Sequence, residues 1–290
     1  MILISLVGEQ PAPNLLPARR LKPGIAALIY TERTESIAAN LKALLASQCA
    51  CRLCKVEPYN ILDIGDRLAR FMADEFADER FVFNLTGGTK PMVLAAYQLA
   101  QARSSPFIYF QTEGNRSCLY RYVFADGGTV LAAVEELPET LSLDDYLRLY
   151  LRAYETEAPR NILEQQVFEA LKATPGLEVL TSVRPQGLGA LEVDFAVRCG
   201  NQVGIGEVKT RGAKDGIDQI NAVAHPRYLG TYVRKFLVSA HPVDQNNRDL
   251  AEAYRIEVIE LPSYRSSGEL DPDDRQKLSQ GIVRQLGGHV

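Results

Sequence analysis

Three carboxylates and one lysine in the second half of the chain have the types and spacing to hold a hard cation and activate a water. Leu191-Glu-Val-Asp-Phe-Ala-Val197 and Val203-Gly-Ile-Gly-Glu-Val-Lys209 read as strands, and Gly200-Asn201 between them is a favoured two-residue hairpin turn. With that turn, Cys199 faces Gln202 and Asp194 stands opposite Glu207, so the two carboxylates share a face with β-carbons roughly 4.5 to 5.5 Å apart. Glu207 lies on the same side of its strand as the apolar Val203 and Ile205, where two unscreened carboxylates repel. A cation belongs between them, and Mg²⁺ or Mn²⁺, which take oxygen ligands and keep waters, suit that chemistry. Lys209, two residues further on, projects from the same face and can orient the attacking water or offset charge on a scissile phosphate. Glu164 sits at the edge of the buried face of a helix expected over 161–173, with Leu163, Val167, Phe168 and Leu171 inward, where a carboxylate is costly without a partner. The competing reading is a surface salt bridge among Asp194, Glu207 and Lys209.

A second set of groups lies in the first half. Asn84-Leu-Thr-Gly-Gly-Thr-Lys-Pro91 leaves an apolar run and enters a helical pattern. Its two glycines permit close backbone approach, successive N–H groups form an anion nest, and Thr and Lys add donors at the positive end of the helix. Such a loop holds a phosphate or a phosphodiester. The spacing is not that of a Walker loop, so nucleotide hydrolysis is not implied. A tight strand-to-helix turn capped by Thr has the same composition.

These groups need scaffolds. Ile2 to Val7, Ala26 to Tyr30, Arg52 to Val56, Phe81 to Leu85 and Phe107 to Phe110 read as strands, and helical periodicity falls between them, as in Ile37, Leu41, Leu44 and Leu45 or Met92, Ala95, Ala96 and Leu99. This alternation implies a mostly parallel sheet covered on both faces, with ligands held beyond the carboxyl ends of its strands. From Arg116 to Val134 the pattern becomes a hairpin turning at Asp126-Gly127-Gly128. Leu141 to Leu151 reads as a helix capped by Ser142, and Glu155-Thr-Glu-Ala-Pro159 marks a boundary.

Leu3-Ile-Ser-Leu-Val-Gly-Glu-Gln-Pro11 with Pro13-Asn14, Leu28-Ile-Tyr-Thr31 and Asn84 to Met92 together resemble the CRISPR-associated Rossmann-fold (CARF) sensor domains, over roughly residues 1–140. The resemblance implies a homodimer that binds a cyclic oligoadenylate, most often the tetra-adenylate. It also implies ligand contacts at Thr86, Gly87, Gly88, Thr89 and Lys90, with Gln10, Asn14 and Thr31 from neighbouring loops. The set Glu164, Asp194 and Glu207-Val208-Lys209 is similar to that of the PD-(D/E)xK nucleases, from about Pro159 to Leu261, although Val193 stands where the name has Pro. That likeness implies Asp194, Glu207 and Val208 at the metal, Glu164 completing or steadying the site, Lys209 assisting the water, and Gln219 on the following helix in support. From its position alone, Gln219 reads equally well as a solvated helix residue. Glu192 shares a face with Asp194 as a further carboxylate or an exposed one. His225 and His241 have no ligand spacing with the acids, while Arg211, Lys214, Arg227, Arg234 and Lys235 are cations able to line a phosphate groove.

Composition bounds the rest. With 290 residues, 46% hydrophobic, 23% charged and no Trp, the chain is long enough for two globular domains and excludes disorder, collagen and coiled coil. No apolar run approaches the roughly 18 residues that span a bilayer, so a cytoplasmic protein without membrane partners is expected. A net charge of −4 says little about nucleic acid. Five cysteines, three of them at Cys49, Cys51 and Cys54, form no paired zinc spacing and read as reduced thiols. The expected architecture is α/β: a Rossmann-like, mostly parallel sheet domain (1–140), a linker helix (141–158) and a restriction-endonuclease-like α/β domain (159–290). The expected activity is a cyclic-oligoadenylate-activated, metal-dependent endonuclease acting on DNA, single-stranded RNA or both. A constitutive restriction or repair nuclease and a non-catalytic cyclic-nucleotide-binding protein are the alternatives.

Overall fold

Every residue of Ile2–Leu6 is buried, as in a strand covered on both faces. This strand, β1, is followed by α1 (Ala12–Leu21), β2 (Ile25–Tyr30), α2 (Glu35–Leu45), β3 (Ala50–Lys55), α3 (Ile61–Glu75), β4 (Phe81–Asn84), α4 (Lys90–Ala102), β5 (Phe107–Glu113), β6 (Arg116–Ala125) and β7 (Gly128–Glu136). The computed structural model describes the chain except residues 77–78, 115, 126, 188–191, 225, 231–232 and 289–290, and except the side chains of 226 and 227. Asp126, Leu191, His225 and the Arg227 side chain therefore lie outside the described residues.

β1 to β7 form one sheet in the order β3-β2-β1-β4-β5-β6-β7. It is parallel from β3 to β5 and antiparallel through β6 and β7, a Rossmann-like arrangement with an added hairpin whose Ala125 faces Gly128. Ile4, Leu6, Ile29 and Phe83 pack against Leu68 and Met72 of α3 and Met92 and Ala96 of α4. The strand order reverses between β1 and β4, which sets the loops leaving those two strands side by side. Cys49, Cys51 and Cys54, at and just before the edge strand β3, are free thiols. Burial, and then neighbouring Cys49, pushes the Cys51 thiol up to about 12, which disfavours the thiolate a soft metal needs.

Contacts divide the chain at Thr140/Leu141 into two units. The second contains α5 (Leu143–Leu151), β8 (Tyr154–Thr156), α6 (Ile162–Lys172), β9 (Glu178–Pro185), β10 (Val193–Cys199), β11 (Gln202–Lys209), α7 (Ala213–Val223), α8 (Pro226–Leu229), β12 (Arg234–Ser239), α9 (Gln245–Ala253), β13 (Ile256–Glu260), α10 (Pro262–Ser267) and α11 (Pro272–Leu286). Its sheet runs β13-β12-β11-β10-β9-β8. Residues 141–158, expected as a linker, are part of this unit. Ser142 caps α5, accepting from Asp145 N. Leu143, Leu147 and Leu149 are then buried, Tyr146 donates to Leu229 O at 2.5 Å, and β8 pairs with β9. An apolar helix face of that kind cannot remain in solvent, and this unit covers it.

Leu163, Val167 and Leu171 of α6 and Leu278 and Ile282 of α11 pack with Phe195, Phe236 and Val238 of the sheet. Ile217 and Ile220 of α7 and Ala251 of α9 form a separate cluster with Leu237 and Ile256. Phe168, expected inward, is only half-buried. Among the described residues no helix is long and apolar enough to cross a membrane.

Candidate functional site

β10 and β11 pair from Cys199–Gln202 to Phe195–Gly206, the register that brings Asp194 opposite Glu207. There the ladder ends, and the Asp194 carboxylate takes the Val208 N–H at 2.7 Å. Glu207 is 2% exposed, and its Oε2 lies 3.0 Å from Lys209 Nζ. Burial first, and the Asp194 charge second, push its carboxyl up to about 8 against the opposing pull of Lys209. The lysine alone therefore does not compensate the two opposed carboxylates, and a salt bridge is an incomplete account of them. This donor set fits a hard divalent cation, which Asp194, Glu207 and the main chain of Val208 would hold. The Val208 side chain is buried in the α6 cluster, so only its backbone is available. Among the described residues no three His, Cys, Asp or Glu side chains converge tightly enough to hold a metal by themselves, so water would complete the shell.

Glu164, in the first turn of α6, accepts from Arg160 N at 2.7 Å and from Asn161 Nδ2 at 2.5 Å, while Asn161 caps the helix through Glu164 N. Burial raises the Glu164 pKa, the Arg160 bond opposes it and the Asp194 charge adds to it, which puts the two carboxylates within electrostatic reach. Glu192 pairs with Arg160 at 2.5 Å and Arg184 at 3.0 Å, so Arg160 ties Glu192 to Glu164.

Gln219 is exposed on α7 and among the described residues has no contact with these acids. Lys214 is engaged by Asp218 at 2.7 Å, and His241 follows β12, its carbonyl accepting from Ser239 Oγ. One positioning residue escapes motif reading. A Cβ on Gly216 of α7 would lie 3.0 Å from Lys209 Cγ and 2.7 Å from Leu237 Cδ1, so glycine is what lets α7 rest on the lysine stem. Its signal was a glycine inside a helical pattern.

In the first unit the loops after β1 and β4 meet backbone to backbone. A Cβ on Gly87 would fall 2.2 Å from Leu6 O and one on Gly8 3.1 Å from Gly88 N, while Gly88 has φ +77°. Among the described residues the N–H groups of Gly87 and Gly88 make no hydrogen bond, which leaves them as donors beside the N-terminus of α4. Lys90 is exposed there and Gln10 half-exposed. The other expected ligand side chains have partners within the fold. Thr86 Oγ1 donates to Asn84 Oδ1 at 2.7 Å and accepts from Phe110 N at 2.8 Å. Thr89 Oγ1 caps α4 and donates to Pro58 O at 2.5 Å. Asn14 is 1% exposed and donates to Leu6 O at 2.8 Å. Thr31 is buried and closes a short turn with Thr34.

Residues 2–146, half of the chain, match the family model of the Card1 CARF domain. No curated protein matches. Among solved structures, Can2 from Sulfobacillus thermosulfidooxidans in complex with cyclic tetra-adenylate has a TM-score of 0.75 at 15% identity, over 99% of this chain and 97% of that one. Protein VC1899 from Vibrio cholerae has a TM-score of 0.76 at 16% identity, over 99% of each chain. A type III CRISPR defence DNA nuclease activated by cyclic oligoadenylate has a TM-score of 0.64 at 19% identity, over 97% of this chain and 51% of that chain. At these identities the likeness is one of fold. With the family model spanning the whole seven-stranded sheet and its switch-point loops, the chain belongs to the Card1 CARF domain family.

Proposed function

We propose that the chain is a nuclease of CRISPR defence, activated by a cyclic oligoadenylate, of which cyclic tetra-adenylate is the first choice. Residues 1–140 sense the ligand and the second unit cuts DNA, single-stranded RNA or both, as a homodimer. The observation that carries the catalytic half is Glu207, buried opposite Asp194 with Lys209 at 3.0 Å. The sensor half rests on the membership in the Card1 CARF domain family and on the paired glycine loops at the switch point. Can2, which shares the fold, was solved with cyclic tetra-adenylate.

Within the catalytic unit the residues divide the work. The Val208 N–H fixes the Asp194 carboxylate, and Glu207 supplies the buried oxygen opposite it. A divalent ion held by this pair would supply a bound water of lowered pKa and offset phosphate charge. Lys209, held by Glu207 and by the packing of Gly216, presents its ammonium at the rim of the pair. There it can donate to a phosphate oxygen or orient the nucleophile. Glu164 is kept in place by Arg160 and Asn161 and adds a third negative group near Asp194. Because a proton on Glu207 competes with a cation, metal affinity rises with pH up to about 8.

The test incubates the protein with supercoiled plasmid and with labelled single-stranded DNA and RNA, in Mn²⁺ or EDTA, with and without cyclic tetra-adenylate, beside Glu207→Ala. Cleavage that needs the metal, the ligand and Glu207 is expected. Cutting at full rate without ligand would remove the sensor half, and cutting by the variant would remove the assigned site.

A further inference from the structure

Lys235 presents an electrostatic problem that the proposed active site does not solve. With Arg234, Arg248 and Arg255 it lines a cavity of about 420 Å³ at the amino ends of β12 and β13. Lys235 is half-buried, and among the described residues Arg234, Lys235 and Arg255 make no ion pair. Burial, and then the Arg255 charge, push the Lys235 pKa down. An ammonium taken out of water beside a second cation is unfavourable unless an anion joins them.

The two carboxylates of the lining do not supply it. Glu257 is held by Gln285 Nε2 at 2.9 Å and by Arg284 at 3.4 Å, and Glu252 is exposed on α9. Arg248 is drawn to Glu260 at 2.5 Å, leaving the lysine and the other two arginines to face the cavity. In register, Lys235 pairs with Ile205, two positions before Glu207 on β11, so it lies ~7 Å along the strands from the carboxylate row at ~3.3 Å per residue.

We infer that this cavity is an anion site for a phosphate group, distinct from the carboxylate pair. The guanidinium of Arg255 offers planar paired donors and Lys235 a point charge, a combination suited to phosphate oxygens. The phosphate comes either from the backbone of a nucleic-acid strand or from a free phosphate or nucleotide. The site needs no hydrolysis, so it stands or falls separately from the nuclease reading.

The experiment uses the full chain in EDTA and compares wild type with Lys235→Met/Arg255→Met, where methionine keeps an apolar stem. At low salt without phosphate the double variant melts higher than wild type, because two unpaired cations no longer repel. Inorganic phosphate, against chloride at equal ionic strength, raises the wild-type melting temperature and leaves the variant unmoved. Binding of a labelled single-stranded 12-mer, followed by anisotropy against salt, identifies the source. If a strand occupies the cavity, the variant loses ~0.7 from the salt slope, the value for one lost phosphate contact. An unchanged slope with the phosphate effect intact assigns the site to a free phosphate. Equal phosphate shifts in both proteins, or no shift in either, overturn the proposal. Should the double variant fail to fold, Arg255→Met alone, at an exposed position, carries the same comparisons.

Discussion

Replacing Glu207 by Gln should make the metal-free protein more stable, and increasingly so as pH rises. The carboxyl is 2% exposed and pushed from 4.5 to about 8. At ~1.4 kcal/mol per pH unit, keeping it ionised in the folded state costs ~5 kcal/mol. The sign follows from which state releases its proton first. Below the unfolded value both states are protonated and the full stability is present. Above it the unfolded chain ionises while the folded chain does not, so stability falls until about pH 8 and then levels. Gln has nearly the same shape, still accepts from Lys209 and cannot ionise. The advantage of Glu207→Gln should therefore be small near pH 5, ~2 kcal/mol near pH 6 and ~4–5 kcal/mol at pH 9. Urea unfolding in EDTA across that range reads the difference directly. Adding Mn²⁺ at pH 8 should reverse the order, because binding to the folded wild type stabilises it by mass action and the variant has lost a ligand. Parallel stability curves in EDTA, or a variant less stable at pH 9, would refute the account of Glu207 as a buried, undercompensated carboxylate.

Three further outcomes are expected. Gly216→Ala places a methyl against Lys209 and Leu237 and should cost ~1–3 kcal/mol in urea unfolding, with nuclease rate falling at least ~10-fold while cyclic tetra-adenylate affinity holds. An unchanged rate would remove Gly216 as a positioning residue. Gly87→Ala drives a Cβ into Leu6 O and should weaken the cyclic ligand at least ~100-fold by calorimetry, about 3 kcal/mol; affinity within a few-fold of wild type would argue against the loop pair as the ligand floor. Thr86→Val leaves Asn84 Oδ1 and Phe110 N without the shared hydroxyl and should cost ~1–3 kcal/mol of stability. If stability holds and only affinity falls, the hydroxyl belongs to the ligand.

Much of this was legible because a few local signals are strict. Gly200-Asn201 fixes a hairpin register, and period-two alternation then puts Asp194, Glu207 and Lys209 on one face without knowledge of the rest of the fold. The strands β1, β2 and β4 are read from apolar runs that only a doubly covered sheet can bury. Other parts had no such signal. α1 carries Pro13 and Pro17, which read as breakers. β9 has no clean alternation, and its Ser182 sits at φ +45°. The ligand loops were harder for a chemical reason. Thr and Asn are the residues that cap turns and also those that grip a ligand, so spacing cannot say which of the two Thr86, Thr89, Thr31 and Asn14 do. Thr86, Thr89, Thr31 and Asn14 all have partners within the fold, whereas the N–H groups of Gly87 and Gly88 make no hydrogen bond among the described residues and Lys90 is exposed. Residues 141–158 belong to the second unit and not to a linker, a difference that spacing does not reveal because a capped amphipathic helix looks the same whether it joins two domains or seals one.

The contact of Gly87 with Leu6 O also bears on how such a protein can change over time. Where two loops touch through main chain alone, neither can be retuned by exchanging side chains, and an inserted residue in one would dislodge the other. Selectivity for a different cyclic ligand would then have to arise around the rim, at positions such as Gln10 and Lys90, with the floor kept constant. The proposed catalytic site is built the other way, from side chains, so its preference for a substrate can change by substitution while the proposed ligand floor cannot.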